Sequence, residues 1–353
     1  MPDMASLSLS IAALYLFTEW LDRESDARLF AASCAAASLA ILVKLSAVII
    51  GMPLAYLAVR AHGARFARRP ARWAWAALVL GFPLAWHLHA RAVSLAYFPY
   101  HMFGEGGVQI VGLASYADIG LDAATWGLTP LVALGMLVGL ALASRSRFGG
   151  VFHWWLVAII LFVFVAGRGS NWHAWYQLPL VPVAAALAGR AADAGLSGLT
   201  RRGRPGLALV LGGVCVVAVA ALAAVYLRPY YEPWANPLRA AGRELNRIAP
   251  ANALVVFTEW DPTTVYYSER KGWRLERDGL PWQTPRDADE AIRSLEGLRT
   301  RGARYLVFTR YSRWWFDRYP GFQQHLESRY RRVRNTDEYT IFDLTPREGA
   351  WST

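Results

Sequence analysis

As far as Leu227 the chain alternates long apolar runs with short polar loops, and beyond it the pattern changes. Apolar runs at 4–21, 29–59, 73–90, 125–143, 151–166, 174–188 and 206–227 read as membrane-spanning helices, because a span needs roughly 20 mostly apolar residues. Pro83 sits inside the third run, where a kink is expected. Loops at 22–28, 60–72, 91–124, 144–148, 167–173 and 190–204 separate the runs. From Arg228 the periods shorten. A helix is predicted over 236–248, a buried strand over 253–258 (ALVVFT) and an amphipathic helix over 287–300, with Ala288, Ala291, Ile292, Leu295 and Leu298 at helical spacing. A second strand at 304–309, a helix at 314–328 and a closing strand pair (RYRRVR with 339–344) complete the tail. The fold class is therefore a polytopic α-helical membrane bundle over 1–227, followed by a small soluble α/β domain over 228–353. Tyr226, Tyr230, Tyr231 and Trp234 at the junction suit an interfacial aromatic belt.

The run 29–59 holds one charge, Lys44, in a chain with only two lysines against thirty-five arginines. An ammonium at the bilayer centre costs roughly 2.5–3.5 kcal/mol on insertion scales, so it is rarely there without a partner or a water-filled cavity. A single helix would run about 46 Å at 1.5 Å per residue, with Lys44 near mid-membrane. Two arms, 29–43 and 45–59, that rise and return would instead place Lys44 at a membrane face. The hairpin is preferred because it removes the burial cost. A lysine snorkelling at a helix end, with no ligand, is the plain alternative.

Composition agrees with a membrane protein: 55% of residues are hydrophobic. The net charge of +11 at first suggests nucleic acid, but much of it lies in loops. Of sixteen Lys and Arg in 1–227, thirteen fall in 22–28, 60–72, 145–147 and 190–204, which an alternating threading puts on one side. The positive-inside rule makes that side cytoplasmic. Lys44, Arg91 and Arg168 remain for the outer face, and the tail is then extracytoplasmic. Cys34 and Cys215 both lie in apolar runs, which argues against a disulfide framework. The start, Met1-Pro2-Asp3-Met4, has no basic region of a cleavable signal and enters an apolar helix at once.

The outer face gathers Lys44, Arg91, His101, Glu105, Arg168, His173 and Tyr176. Cations beside His and Tyr donors, opening onto lipid, suit a phosphate or pyrophosphate head group whose tail stays in the bilayer. Gly167 and Gly169 flank Arg168 and permit close backbone approach, while a positive cap at a helix end explains the same arginine. An interfacial hydrogen-bonded role fits His101 better than metal ligation. His87 and His89, two apart, point away from each other on a helix. Outer-loop acids are limited to Glu105, Asp118 and Asp122, apart from Asp3 at the terminus; Glu105 is the weak candidate for a catalytic base, against the simpler reading of a solvated loop acid. In the tail, Asp261-Pro262 reads as a helix cap. No HExxH, CxxC, P-loop or G-x-S-x-G is present, no cofactor is named by any motif, and a divalent metal stays open.

Four stretches in order carry a resemblance: PDMASLSLSIAALYLF, LAILVKLSAVIIGMPLAYL, LAYFPYHMFGEGG and HAWYQLPLVPVAAALAG. Together with the α/β tail they resemble GT-C glycosyltransferases of the family-39 and RgtA/B/C/D-like type, related to protein O-mannosyltransferases and aminoarabinose transferases. The resemblance covers nearly the whole chain, through order and spacing more than any one motif. It implies transfer of a sugar, hexosyl or pentosyl, from a polyprenyl-phosphate donor to a lipid, glycan or protein acceptor at the outer face of a bacterial cytoplasmic membrane, in building cell-envelope glycans. It implies that Lys44 contacts the donor phosphate, that Tyr176 and the Arg168–His173 loop line the same cavity, and that the 91–105 loop covers it. The acidic residue that the family places in its first outer loop has no counterpart here. The expectation is a member lacking its amino-terminal part. A non-catalytic membrane subunit that binds a lipid phosphate or a partner transferase is the alternative; a transporter is disfavoured, since no paired inverted halves are visible.

Overall fold

The structure, a computed structural model, describes residues 2–97, 110–143, 146, 148–231, 233–277 and 283–347. It divides into two compact units, Met1–Pro229 and Tyr230–Thr353.

The first unit is helical. Helices α1 (Pro2–Asp22) and α2 (Ala27–Val43) pack closely, because α2 presents small residues to α1: Ala36, Ala37 and Ala40 are buried, and Ser6 Oγ donates to the Ala40 carbonyl at 3.0 Å. Asp26 starts α2 by accepting from the backbone N–H groups of Arg28 and Leu29. At Lys44 the backbone turns extended, with φ −152° and ψ 118°, its N–H closing on the Ala40 carbonyl. A 3-10 stretch, Leu45–Ile50, leads into α3 (Gly51–His62). Gly63, at φ +60°, ends α3, a second 3-10 stretch covers Gly63–Arg68, and α4 runs Pro70–Tyr97. His62, Arg69 and Arg72, at the end of α3 and the start of α4, all pair with Glu24, which lies just before α2. The chain therefore returns after Lys44 to the end from which α2 set out, as the hairpin reading requires.

Next come α5 (Leu113–Asp122), a π-helical turn Ala123–Gly127 and α6 (Pro130–Ala141), the two parts bent by 110° around Thr129, whose φ is +70°. Then follow α7 (Val151–Val165), α8 (Gly167–Trp172), a 3-10 turn Ala174–Gln177, α9 (Leu180–Arg201) and α10 (Pro205–Tyr231). Three expectations are corrected here. Residues 91–124 are not all loop, since α4 extends to Tyr97 and α5 lies within them. The span expected at 125–143 is a shorter helix behind a sharp bend. The apolar run 174–188 does not end in a loop at 190, because α9 continues to Arg201. Arg190 turns back onto α6, donating to the carbonyls of Gly139, Leu142 and Gly149 at 3.4, 3.1 and 3.0 Å, so this charge caps a helix end. Among the described residues, Pro2–Asp22, Leu45–His62, Pro70–Ala96 and Pro205–Pro229 are long and apolar enough to cross a membrane, and the bent pair would make a fifth; α2 and α7 are apolar but shorter.

The second unit is an α/β layer structure. Strands β1 (Leu254–Phe257), β2 (Lys271–Arg274), β3 (Ala303–Thr309), β4 (Arg331–Asn335) and β5 (Tyr339–Asp343) form a sheet in the order β2-β1-β3-β5-β4. The pairs β1–β2 and β1–β3 are parallel, while β3–β5 and β4–β5 are antiparallel. Side chains alternate across the pleat. Val255, Val307 and Ile341 pack against α11 (Asn236–Ile248) through Ala241 and Leu245. Val256, Leu306 and Phe308 pack against α13 (Ala288–Thr300) and α15 (Pro320–Arg329) through Leu295 and Phe322. The short helices α12 (Thr263–Ser268) and α14 (Trp314–Arg318) link these layers, and the helix expected at 314–328 is broken at Tyr319. Asp261 accepts from the Thr263 N–H at 2.8 Å, but the N-cap position of α12 is Pro262, one residue later than expected. Between α13 and α15, Glu296 collects His325 Nε2 at 2.8 Å, Arg299 Nε at 2.7 Å and the Tyr330 hydroxyl.

Candidate functional site

Lys44 is presented by the break between α2 and the 3-10 stretch, which turns its side chain out of the helical repeat. Its ammonium pairs with Asp3 Oδ1, in the first turn of α1, and lies 4.2 Å from the centre of the Tyr176 ring. The Asp3 side chain is 9% exposed and that of Lys44 is 22% exposed, so the pair is largely out of solvent but reachable. Carboxylates are stabilised at a helix N-terminus, and α1 places Asp3 there. Around the pair is a cavity of about 30 Å³, close to the volume of one water, lined by Asp3, Ser6, Ser10, Lys44, Ser46, Trp155, Trp175 and Tyr176.

Tyr176 is fixed from behind. His173 stacks on Trp175 with ring centres 4.6 Å apart and lies 5.4 Å from the Tyr176 ring. The close approach at Gly169 is made by a side chain of the protein: a Cβ there would fall 3.0 Å from Tyr176 Cε2. Of the residues singled out in the sequence, the structure brings Lys44 and Tyr176 together, with His173 supporting the tyrosine. Arg91 on α4 and Arg168 on α8 are exposed and are not among the residues lining this cavity. His101 and Glu105 lie outside the described residues.

Asp3 is the partner of Lys44 that sequence reasoning passed over. A terminal acid forty-one positions from Lys44 carries no local signal; the cost of an unpaired ammonium was the hint that some carboxylate had to be near. Among the described residues no three His, Cys, Asp or Glu side chains cluster as metal ligands. The cavity itself offers a divalent ion one carboxylate, already engaged by Lys44, so these residues do not fit one and no step is derived through it. Chemically the arrangement can present a cation to an incoming anion while keeping that cation neutralised when nothing is bound.

No family model matches the sequence, and no curated protein matches it. The structure, however, is similar over 100% of its length to 76% of ArnT from Cupriavidus metallidurans, solved bound to undecaprenyl phosphate, with a TM-score of 0.57 at 15% identity. The fold is GT-C-like. The apolar helices and this fold together describe a multi-pass membrane protein with a GT-C-like bundle and a small carboxy-terminal sheet unit.

Proposed function

We propose that the chain acts as a membrane glycosyltransferase using a sugar carried on a polyprenyl phosphate, with Lys44 at the donor phosphate. The observation that carries the reading is the Lys44 ammonium held between Asp3 and Tyr176 beside a cavity at one end of a GT-C-like bundle. The similarity to ArnT, whose structure holds undecaprenyl phosphate, supports the donor class.

The cavity has room for about one water, so the phosphate would seat at its mouth, on the exposed edge of Lys44. There an N⁺–H···O⁻ bond is roughly twice as strong as a neutral one, and the isoprenoid stays in lipid. Asp3 acts on Lys44: it orients the ammonium and pairs with it until the donor arrives. Transfer breaks the bond between the sugar carbon and the phosphate oxygen and forms one to an acceptor hydroxyl oxygen. Polyprenyl phosphate leaves, and the hydroxyl proton passes to a base. Glu105 remains the candidate base, with Arg91, His101 and Arg168 as further donor contacts. By the positive-inside rule, the Glu24–Arg72 end would face the cytoplasm and the Lys44 end outward, which supports a reading as a bacterial cytoplasmic-membrane protein with an extracytoplasmic tail.

The test is sugar transfer from a polyprenyl-phosphate donor by membranes containing the full chain. Lys44→Ala is expected to lower the rate by about a hundredfold, the scale of removing one preorganised charge contact to the reacting phosphate. An undiminished rate removes the role given to Lys44. Donor-lipid binding that depends on Lys44, without any turnover by the unsubstituted chain, favours instead the non-catalytic subunit.

A further inference from the structure

A second cavity runs along the same helices, from Val48 and Ile50, the latter also lining the first cavity, towards Arg72. It occupies about 250 Å³ between α3 and α4, with Phe17, Ala37 and Ile41 as its floor. Its walls run along α3 from Gly51 to Ala58, about 10 Å of helix. Gly51, Ala55, Trp73 and Leu80 at its edge are exposed, so it opens sideways between the two helices, towards lipid in a membrane-embedded bundle. An apolar cavity of about 150 Å³ already stays dry and takes a hydrophobic guest. This one is larger, and a single lining residue carries charge: Arg72.

Arg72 is 8% exposed. Its Nη2 pairs with Glu24, but its Nε and Nη1 are buried with no hydrogen-bond partner among the described residues. A buried guanidinium with two unsatisfied donors is costly, and an anion supplied from outside would relieve that cost. The surroundings favour an anion too. Glu24 also serves Arg69 and His62, while Arg60, Arg65 and Arg68 on the same connection are exposed and the stretch 60–72 contains no acid.

An apolar slot ending in an unsatisfied buried arginine, under a cluster of further arginines, has the polarity of an anionic phospholipid. We propose that this cavity holds the acyl chain of one anionic phospholipid, with its phosphate on Arg72, at the membrane face opposite Lys44. Its charged end, Arg72, shares Glu24 with His62 at the end of the span Leu45–His62 opposite Lys44, and although Ile50 lines both cavities the proposal stands whether or not the chain transfers sugar.

The test uses the full-length chain in nanodiscs of mixed phosphatidylglycerol and phosphatidylcholine, followed by native mass spectrometry of the lipid retained after release. One phosphatidylglycerol should be retained at least about tenfold more than phosphatidylcholine. Ala55→Trp, which fills the exposed mouth and leaves every ion pair in place, should abolish that retention, and Arg72→Gln should lose the preference for the anionic lipid. Lys44→Ala should leave retention unchanged. Equal retention of the two lipids overturns the proposal, as does retention that survives Ala55→Trp. Loss of retention in Lys44→Ala would assign the bound lipid to the donor site and overturn it equally. Should Arg72→Gln fail to fold, Ala55→Trp alone decides.

Discussion

An ammonium among packed helices is tolerated when a carboxylate shares its cavity, and removal of either partner strands the other. Asp3 and Lys44 stand in that relation. Asp3→Ala should lower stability by about 3 kcal/mol, whereas Asp3→Ala combined with Lys44→Met should recover most of it, because no charge is then left unpaired. Thermal midpoints of the four chains in one detergent give the coupling directly; additive losses would mean that the two side chains do not depend on each other. The same scale shows what a sequence conceals. Lys44 was conspicuous because charge is rare in an apolar run, yet its partner belongs to another helix. Arg190 misled for the opposite reason. As an arginine near the end of an apolar run it reads as a loop charge, whereas it hydrogen-bonds inward to three carbonyls.

At the scale of elements, the bundle depends on backbones that come close. Gly135 and Gly139, four apart on α6, face Ala188 and Leu187 on α9, the small-xxx-small arrangement that lets membrane helices touch. A Cβ on Gly139 would lie 1.8 Å from the Leu187 carbonyl oxygen, which belongs to backbone and cannot step aside. Gly139→Ala should therefore cost at least about 2 kcal/mol, and Gly213→Ala, where α10 has open space, should cost nothing. Thermal stability of the two chains in matched detergent compares them, and an equal response would show that α6 and α9 do not rely on this approach. Elements with one strong period were legible: the apolar runs that became α1, α7 and α10, and the buried strands β1 and β3. Elements whose signal is mixed were not. Helix α5 carries two acids and a glycine, and strand β2 reads Lys-Gly-Trp-Arg, so both look like loop until neighbours pack on them. The outer candidates were legible only as a group; spacing along the chain could not say which of them the turn Ala174–Gln177 and the Lys44 break would bring into one cavity.

The whole molecule joins two units with different chemistry: a bundle held by apolar packing and a sheet unit edged with ion pairs. The knot at Glu296, tying α13 to α15, makes the sheet unit sensitive to acid. Burial alone would raise this carboxyl, but hydrogen bonds from His325, Tyr330 and Arg299 outweigh it and hold it at about 2. Glu244 is also lowered, chiefly by its hydrogen bond from Arg247, working against burial and helped by Arg334. A carboxyl lowered on folding stabilises fully above its unfolded value, about 4.3, and loses that contribution as pH falls towards its folded one. For Glu296 the amount at stake is on the order of 3 kcal/mol. The urea midpoint of unit 230–353 within the full chain should thus fall steeply from pH 5 to pH 2.5, and Glu296→Gln should flatten the slope; an unchanged slope would detach the knot from the acid response. Acidification would then loosen the sheet unit from this knot outward, which makes proton concentration a handle on how firmly that half of the molecule is closed.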